Sequence, residues 1–279
     1  MEKVKLIEGR VYGPAGNIAG ATAVDFAKRL PAFKKWVEKL VGSYGANLSE
    51  IFILDVYPFG PADKATRGFV MANVVATKNG SRVSGFALIR GAAVCVLVIL
   101  QDETGKEYVV TTTQPRVPGG EIDYEEIPAG MMDNDSNFAS VATKELEEEL
   151  HFKIKSSELV KLSDMYPSIG GCDEMITTFV YRGKTTGAVI AEFKGKHTGE
   201  PNESEQIVTK LRTYDEFKTA CRNGEITDAK AQLTLGLYEM LKAEKGPDAV
   251  PAVAIAAPTG GKKTRRRRGR VGKTRKLFV

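Results

Sequence analysis

Histidine is almost missing from this 279-residue chain, with two copies, and tryptophan occurs once. His151 and His197 stand far from each other and from any partner at metal-like spacing, so a histidine-based zinc or iron site is excluded. Both read as solvent-facing side chains. Three cysteines, Cys95, Cys172 and Cys221, are too few and too scattered for a disulfide scaffold or a thiolate cluster. Their odd count fits a reducing compartment. Cys95 lies in an apolar run and is expected in the core. No apolar run approaches the roughly 18 residues that a membrane-spanning helix needs. The first ten residues, MEKVKLIEGR, lack the apolar heart of a secretory signal and carry two acids that a transit peptide avoids. The expectation is a cytoplasmic protein without a membrane partner, with nuclear and organellar residence left open.

Acid is absent from one stretch in particular. Residues 262–276 hold ten lysines and arginines and no aspartate or glutamate. Removing those ten from the net charge of +5 leaves about −5 for the remainder. A mildly acidic body thus carries a basic tail, which suits RNA or another polyanion, a nuclear address, or a solvated extension. No aromatic residue interrupts the arginines, so base stacking is not expected from it.

What is present divides the chain into three parts. Residues 1–89 read as a small N-terminal region of strands and a helix. Phe26, Leu30, Phe33, Trp36 and Leu40 recur at helical spacing over residues 20–42, with Pro31 placed to kink or restart the helix. Residues 51–57 are rich in β-formers, and two β-rich runs flank Lys78-Asn79-Gly80-Ser81, an Asn-Gly hairpin signal. Residues 90–245 alternate strands and helices. A second hairpin is expected over 93–113, strands at 175–181 and 207–211, and helices at 137–150, 214–222 and 229–244. Residues 246–279, starting with three prolines among alanine and valine, read as a linker and the basic tail.

The helix at 137–150 carries the most telling pattern. Glu145, Glu148 and Glu149 share one face at i, i+3 and i+4, while Phe138, Ala142, Leu146 and Leu150 form the apolar stripe. Three carboxylates side by side repel unless a cation lies among them, and magnesium is the hard cation that favours oxygen. Taken alone, the glutamates read first as a solvated acidic face on a surface helix.

The surrounding residues resemble the Nudix box, G-x5-E-x7-R-E-U-x-E-E-x-G-U. Gly130, Glu145, Leu146, Glu148, Glu149 and Phe152 fit it, with Ser136, Lys144 and His151 standing at its first glutamate, its arginine and its second glycine. Lysine keeps the charge of arginine but not its bidentate fork. Histidine enters the left-handed conformation less readily than glycine. Further segments resemble the ADP-ribose and ADP-sugar pyrophosphatase branch, with the plant-type ADP-sugar diphosphatases nearest. They are Gln114-Pro115-Arg116, Glu126-Ile127-Pro128-Ala129-Gly130, Gly170-Gly171-Cys172-Asp173-Glu174, Glu203-Ser204-Glu205-Gln206-Ile207-Val208 and Gly224-Glu225-Ile226-Thr227-Asp228-Ala229.

The resemblance implies an α/β/α sandwich around a mixed sheet and a magnesium site made by the Ala129 carbonyl, Glu145, Glu148 and Glu149, with manganese able to replace magnesium. It implies a catalytic base in the 203–208 segment, Glu203 first and Glu205 second. Arg116 is expected to clamp the diphosphate or terminal ribose, or else to form a surface ion pair. Glu174 is expected to support the site, or else to close a turn. Tyr166, Phe179 and Tyr181 are expected in the core rather than stacked on a base. The N-terminal region is expected to build a homodimer. The function implied is hydrolysis of ADP-ribose or ADP-glucose to AMP and a sugar phosphate. UDP-glucose is the rival substrate, and a catalytically inert Nudix-fold subunit of a ribonucleoprotein, such as a mitochondrial ribosome, is the rival class.

Overall fold

The computed structural model describes residues 5–7, 10–11, 22–60, 63–132, 137–150, 154–198 and 206–255, and excludes the side chains at 10, 11, 84 and 148–150. Ser136, His151, Glu203, Glu205 and the 262–276 tail therefore lie outside the described residues, as do the side chains of Glu148 and Glu149.

The first layer pairs two helices with a sheet. Its elements are β1 (Lys5–Ile7), β2 (Arg10–Val11), α1 (Ala23–Arg29), α2 (Pro31–Tyr44), β3 (Leu48–Pro58), β4 (Gly68–Lys78) and β5 (Ser81–Ile89). The sheet order is β1-β3-β4-β5, with β2 also on β3. Pro31 restarts the expected single helix rather than kinking it. Leu30, held extended at ψ 122° ahead of the proline ring, ends α1, and Pro31 opens α2 where its missing N–H costs nothing. Phe26, Leu30, Phe33 and Val37 then bury against Ile51, Ile53, Val70, Ala72 and Ile89. The β4–β5 turn puts both Asn79 (φ 53°) and Gly80 (φ 78°) in the left-handed region, the pair that a two-residue hairpin with the strands' own twist demands.

The second sheet follows with β6 (Ala93–Gln101), β7 (Glu107–Arg116), β8 (Glu121–Glu126), β9 (Ala129–Met131), α3 (Phe138–Leu150), β10 (Val160–Met165), β11 (Ile176–Lys184), α4 (Gly187–Ala191), β12 (His197–Thr198), β13 (Ile207–Thr213), α5 (Tyr214–Asn223), α6 (Ala229–Lys245) and β14 (Val253–Ala254). Its order is β10-β11-β6-β7-β13-β12, with β8 on β7, β9 on β6 and β14 on β11. The β6–β11 pair is parallel and β6–β7 antiparallel, so the sheet is mixed.

β6 is apolar at every position up to Leu100 because neither of its faces meets water. Val94, Val96, Val98 and Leu100 pack under Val141, Ala142 and Leu146 of α3. Ala93, Cys95, Leu97 and Ile99 pack under Phe217 of α5 and Leu235 and Tyr238 of α6. This is the α/β/α sandwich expected from the sequence. Phe179 and Tyr181 are buried as expected, and so is Cys95. Tyr166 is not: it is 39% exposed, and its hydroxyl accepts from Lys39 Nζ at 2.9 Å. A tyrosine at a strand end keeps its polar tip wet.

The expected linker is also corrected over 246–255. Val250 is fully buried, and Val253–Ala254 adds a parallel strand to Gly183–Lys184 of β11. Arg182 fastens this strap, donating to the Val250 carbonyl at 2.7 Å and to Glu107 at 2.6 Å. Three prolines within twelve residues suggested a spacer, yet proline is tolerated on a sheet edge, where no ladder donor is needed. Among the described residues no helix is long and apolar enough to cross a membrane.

Arg182→Met should therefore strand the mostly buried Glu107 carboxylate and the Val250 and Pro247 carbonyls together, at a cost of about 3 kcal/mol. Urea unfolding followed by far-UV dichroism should show the midpoint falling with an unchanged slope. A midpoint within error of the wild type would mean that the strap contributes no stability.

Candidate active site

α3 delivers its acids through the geometry of its opposite, apolar stripe. Leu146 is buried, Glu145 half-buried and Lys144 exposed, so the helix is rotated with Glu145 at the edge of the core. β9 lies directly beneath. It runs antiparallel to β6, pairing Ala129 with Cys95 and Gly130 with Val94, and the Val96 amide donates to the Pro128 carbonyl at 3.0 Å. A methyl group at Gly130 would overlap the Glu145 carboxyl carbon, its Oε1 and its Cγ. Gly130 is thus glycine because the Glu145 carboxylate occupies the volume a side chain would fill. Two of the expected cation-holding groups, Ala129 and Glu145, are brought together by this contact.

The Arg116 guanidinium lies at the end of β7, where β8 returns beside it. Nε and Nη2 both donate to Glu126 Oε1, at 2.9 and 2.6 Å. This is more than a surface pair, because Glu126 is 2% exposed while the Arg116 side chain is 42% exposed. Glu126 is held from its other side by Lys230 Nζ at 3.0 Å, and Lys230 donates to Asp228 at 2.7 Å. Burial alone would lower the Lys230 pKa; the Asp228 and Glu126 charges outweigh it and raise the value, so the amine stays a cation. Two acids and two bases form a neutral chain that fixes Arg116 from below, the arrangement that lets charges remain buried.

Asp228 has a second task. It caps α6, accepting from the Lys230 and Ala231 amides, and it also accepts from the Ile127 amide at 3.3 Å. The start of α6 is thereby tied to the turn that leads into Ala129. Neither Lys230 nor Glu126 received a role from sequence reasoning. The available signals were the acid pair Glu125-Glu126 inside a β-rich run and an aspartate at a helix start.

Glu125 sits in a parallel network. Arg212 grips it with two bonds, at 2.7 and 2.9 Å, Lys210 adds one at 3.0 Å and Thr111 one at 2.9 Å. Burial pushes its pKa up, but these bonds win and hold it below the usual glutamate value.

Glu174 closes the Gly170–Glu174 loop and is mostly buried there. Its charge is taken up by Arg90 at 3.2 Å, ahead of β11. Cys172 forms a bridge with Leu88, and the Asp173 carboxylate accepts from the Arg90 and Gly91 amides at 2.7 and 3.1 Å. This loop staples the two sheets together. Among the described side chains no three histidine, cysteine, aspartate or glutamate residues group into a metal site.

A family model described as NUDIX domain matches residues 90–230. Nudix hydrolase 14, chloroplastic, of Arabidopsis thaliana is 35% identical over 248 residues, covering 81% of this chain and 76% of that protein. A solved structure described as the crystal structure of ADP compounds hydrolase aligns with a TM-score of 0.47 and 18% identity, over 71% of this chain and 98% of that one.

The Glu125 network sets a pH dependence. A carboxyl whose folded pKa is depressed contributes stability fully above its unfolded value and loses it as pH falls through the folded value. The stability gap between the wild type and Glu125→Gln should be constant above about pH 5 and shrink in more acid solution. Denaturant midpoints of both proteins across pH 3–7 measure it. A gap independent of pH would show that the network does not discriminate charged from neutral Glu125.

Proposed function

This chain belongs to the Nudix hydrolase family, and on that premise we propose that it hydrolyses the pyrophosphate of an ADP-sugar, ADP-ribose or ADP-glucose, to AMP and a sugar phosphate. The observation that carries the proposal is the seat of the Glu145 carboxylate on Gly130. That contact holds Glu145, the glutamate of the motif's R-E-U segment, against the strand that supplies the Ala129 carbonyl.

An all-oxygen donor set suits a hard divalent cation. The Ala129 carbonyl, Glu145, Glu148 and Glu149 would hold magnesium, or manganese in its place. Such an ion supplies positive charge between carboxylates and phosphates and acidity to water. The protein's own groups do the rest. Arg116 binds a phosphate or ribose oxygen with the guanidinium nitrogen that Glu126 leaves uncommitted. Glu126 and Lys230 hold that guanidinium in place before substrate arrives, so its orientation is not lost as entropy on binding. Glu203 accepts the proton of the attacking water, with Glu205 second in line. The named relative supports a Nudix hydrolase, and the ADP-sugar specificity rests on the sequence segments around Arg116, Ala129 and Glu203. Leu54, Tyr57 and Met71 are exposed on the first sheet, which supports a homodimer through that layer.

A substrate panel of ADP-ribose, ADP-glucose and UDP-glucose with magnesium, read by released mononucleotide, tests the proposal. The two ADP-sugars should be cleaved faster than UDP-glucose. Glu148→Gln should cut turnover at least ~100-fold, about 2.7 kcal/mol of barrier, without loss of fold. Full turnover in that variant, or in excess chelator, would remove the proposed site.

The base assignment has its own check. Glu203→Gln should slow the reaction roughly 10²–10⁴-fold while divalent-cation affinity, measured by calorimetry, is unchanged. If Glu205→Gln is crippled and Glu203→Gln is near wild type, the two roles are exchanged.

A further inference from the structure

One cavity is lined by none of Arg116, Glu126, Ala129, Gly130, Glu145 and Lys230. It measures about 460 Å³ and lies between α2 and β5 on one side and the β10–β11 connection on the other. That volume falls within the range that holds small organic ligands. We propose that it is a binding site for a flat aromatic ring carrying an anionic group.

The walls argue for the ring. Trp36, Leu40, Phe86, Met132, Phe138 and Ile169 line the cavity. Phe86 is 49% exposed and Ile169 67% exposed, so large apolar side chains from both layers converge on one opening. Apolar surface gathered in this way is covered favourably by an apolar guest, and the aromatic side chains in the lining suit a planar one.

The rim argues for the anion. Lys35 and Lys39 both line the cavity, one helical turn apart on α2. Neither has a carboxylate in ion-pair range among the described residues. Lys39 has only the Tyr166 hydroxyl at 2.9 Å and that ring at 5.2 Å. The one acid in the lining, Asp173, spends a carboxylate oxygen on the Arg90 and Gly91 amides. Burial raises its pKa, against those same bonds. The local charge facing a guest is therefore positive, and two ammonium groups beside an apolar wall select a ring with a carboxylate or phosphate over a neutral ring.

Two kinds of molecule share this chemistry: a nucleoside monophosphate and a simple aryl acid. They are separated by experiment. Trp36 is the chain's sole tryptophan and lines the cavity, so its emission reports occupancy without a label. The full-length protein would be titrated with cinnamate, cinnamyl alcohol, acetate and AMP. Cinnamate or AMP should change Trp36 emission saturably, with one-site stoichiometry by calorimetry. The tighter of the two names the source. Acetate should leave the emission unchanged, since it lacks the ring.

Lys35→Ala/Lys39→Ala should weaken the anions about tenfold and leave cinnamyl alcohol unaffected. Gly171→Leu tests the place. Gly171 lines the cavity, a methyl group there would meet no atom within 4 Å, and its φ is not left-handed, so its backbone accepts a larger side chain at the cavity wall. It should abolish binding of every ring compound. The proposal is overturned if neither anion saturates the Trp36 signal, if the double-lysine variant binds both as tightly as the wild type, or if Gly171→Leu binds normally. Binding that survives alongside absent hydrolysis would leave this site standing and overturn only the catalytic reading.

Discussion

A strand with no wet face governs the arrangement of everything near the site. β6 is apolar on both sides, so each face has to be covered by a helix layer, and which helix covers which face follows from parity. α3 lies over the even positions. β9 pairs with the same strand at Val94. The helix and the strand that meet at Glu145 and Gly130 are thus both indexed to β6. The carboxylate reaches its place because Leu146 and Ala142 are buried, and Gly130 supplies the vacancy. A charged group is positioned here by apolar packing, with its seat made by a missing side chain.

The elements that could be read from the sequence are those whose signal is local. The Asn79-Gly80 turn, the restart at Pro31 and the apolar stripe of α3 each depend on residues within a few positions of one another. The interactions that could not be read are long-range pairings of charge. Glu126 and Lys230 are 104 positions apart, Glu125 and Arg212 are 87 apart, and Arg182 reaches 75 positions back to Glu107. No periodicity reports such partners. The same holds for the strap at 246–255, where proline content pointed to a spacer. Its strand exists because Arg182 and the edge of β11 offer it partners. Within the candidate site, the motif announced Glu145 and Ala129. The resemblance singled out Arg116, but nothing in the sequence showed that a buried carboxylate grips it.

Buried ionisable groups fall into two kinds here. The acids and bases of the Glu125 and Glu126 networks meet groups of opposite charge and keep their own. The thiols are not paired and lose reactivity. Burial pushes Cys95 up to about 12 and Cys221 up to about 11, so both stay protonated near neutrality. The molecule's chemistry is therefore carried by oxygen and nitrogen, with sulfur serving as packing.

The parallel register of β6 and β11 has a consequence for the order of assembly. Ile176 pairs with Ala93 and Val180 with Leu97, across more than eighty intervening residues. Parallel pairing at that separation closes a long loop before it gains any contact, which makes it slow. As the chain leaves the ribosome, the run from Ala93 to Leu100 emerges long before the strand that will flank it. The β6–β7 hairpin can form at once and cover one edge. The other edge stays an unprotected apolar ribbon until β11 has been synthesised. Slow translation between those strands lengthens that exposure, and chaperone capture would be concentrated there rather than at β3, β4 and β5 of the N-terminal layer, which pair as successive antiparallel hairpins.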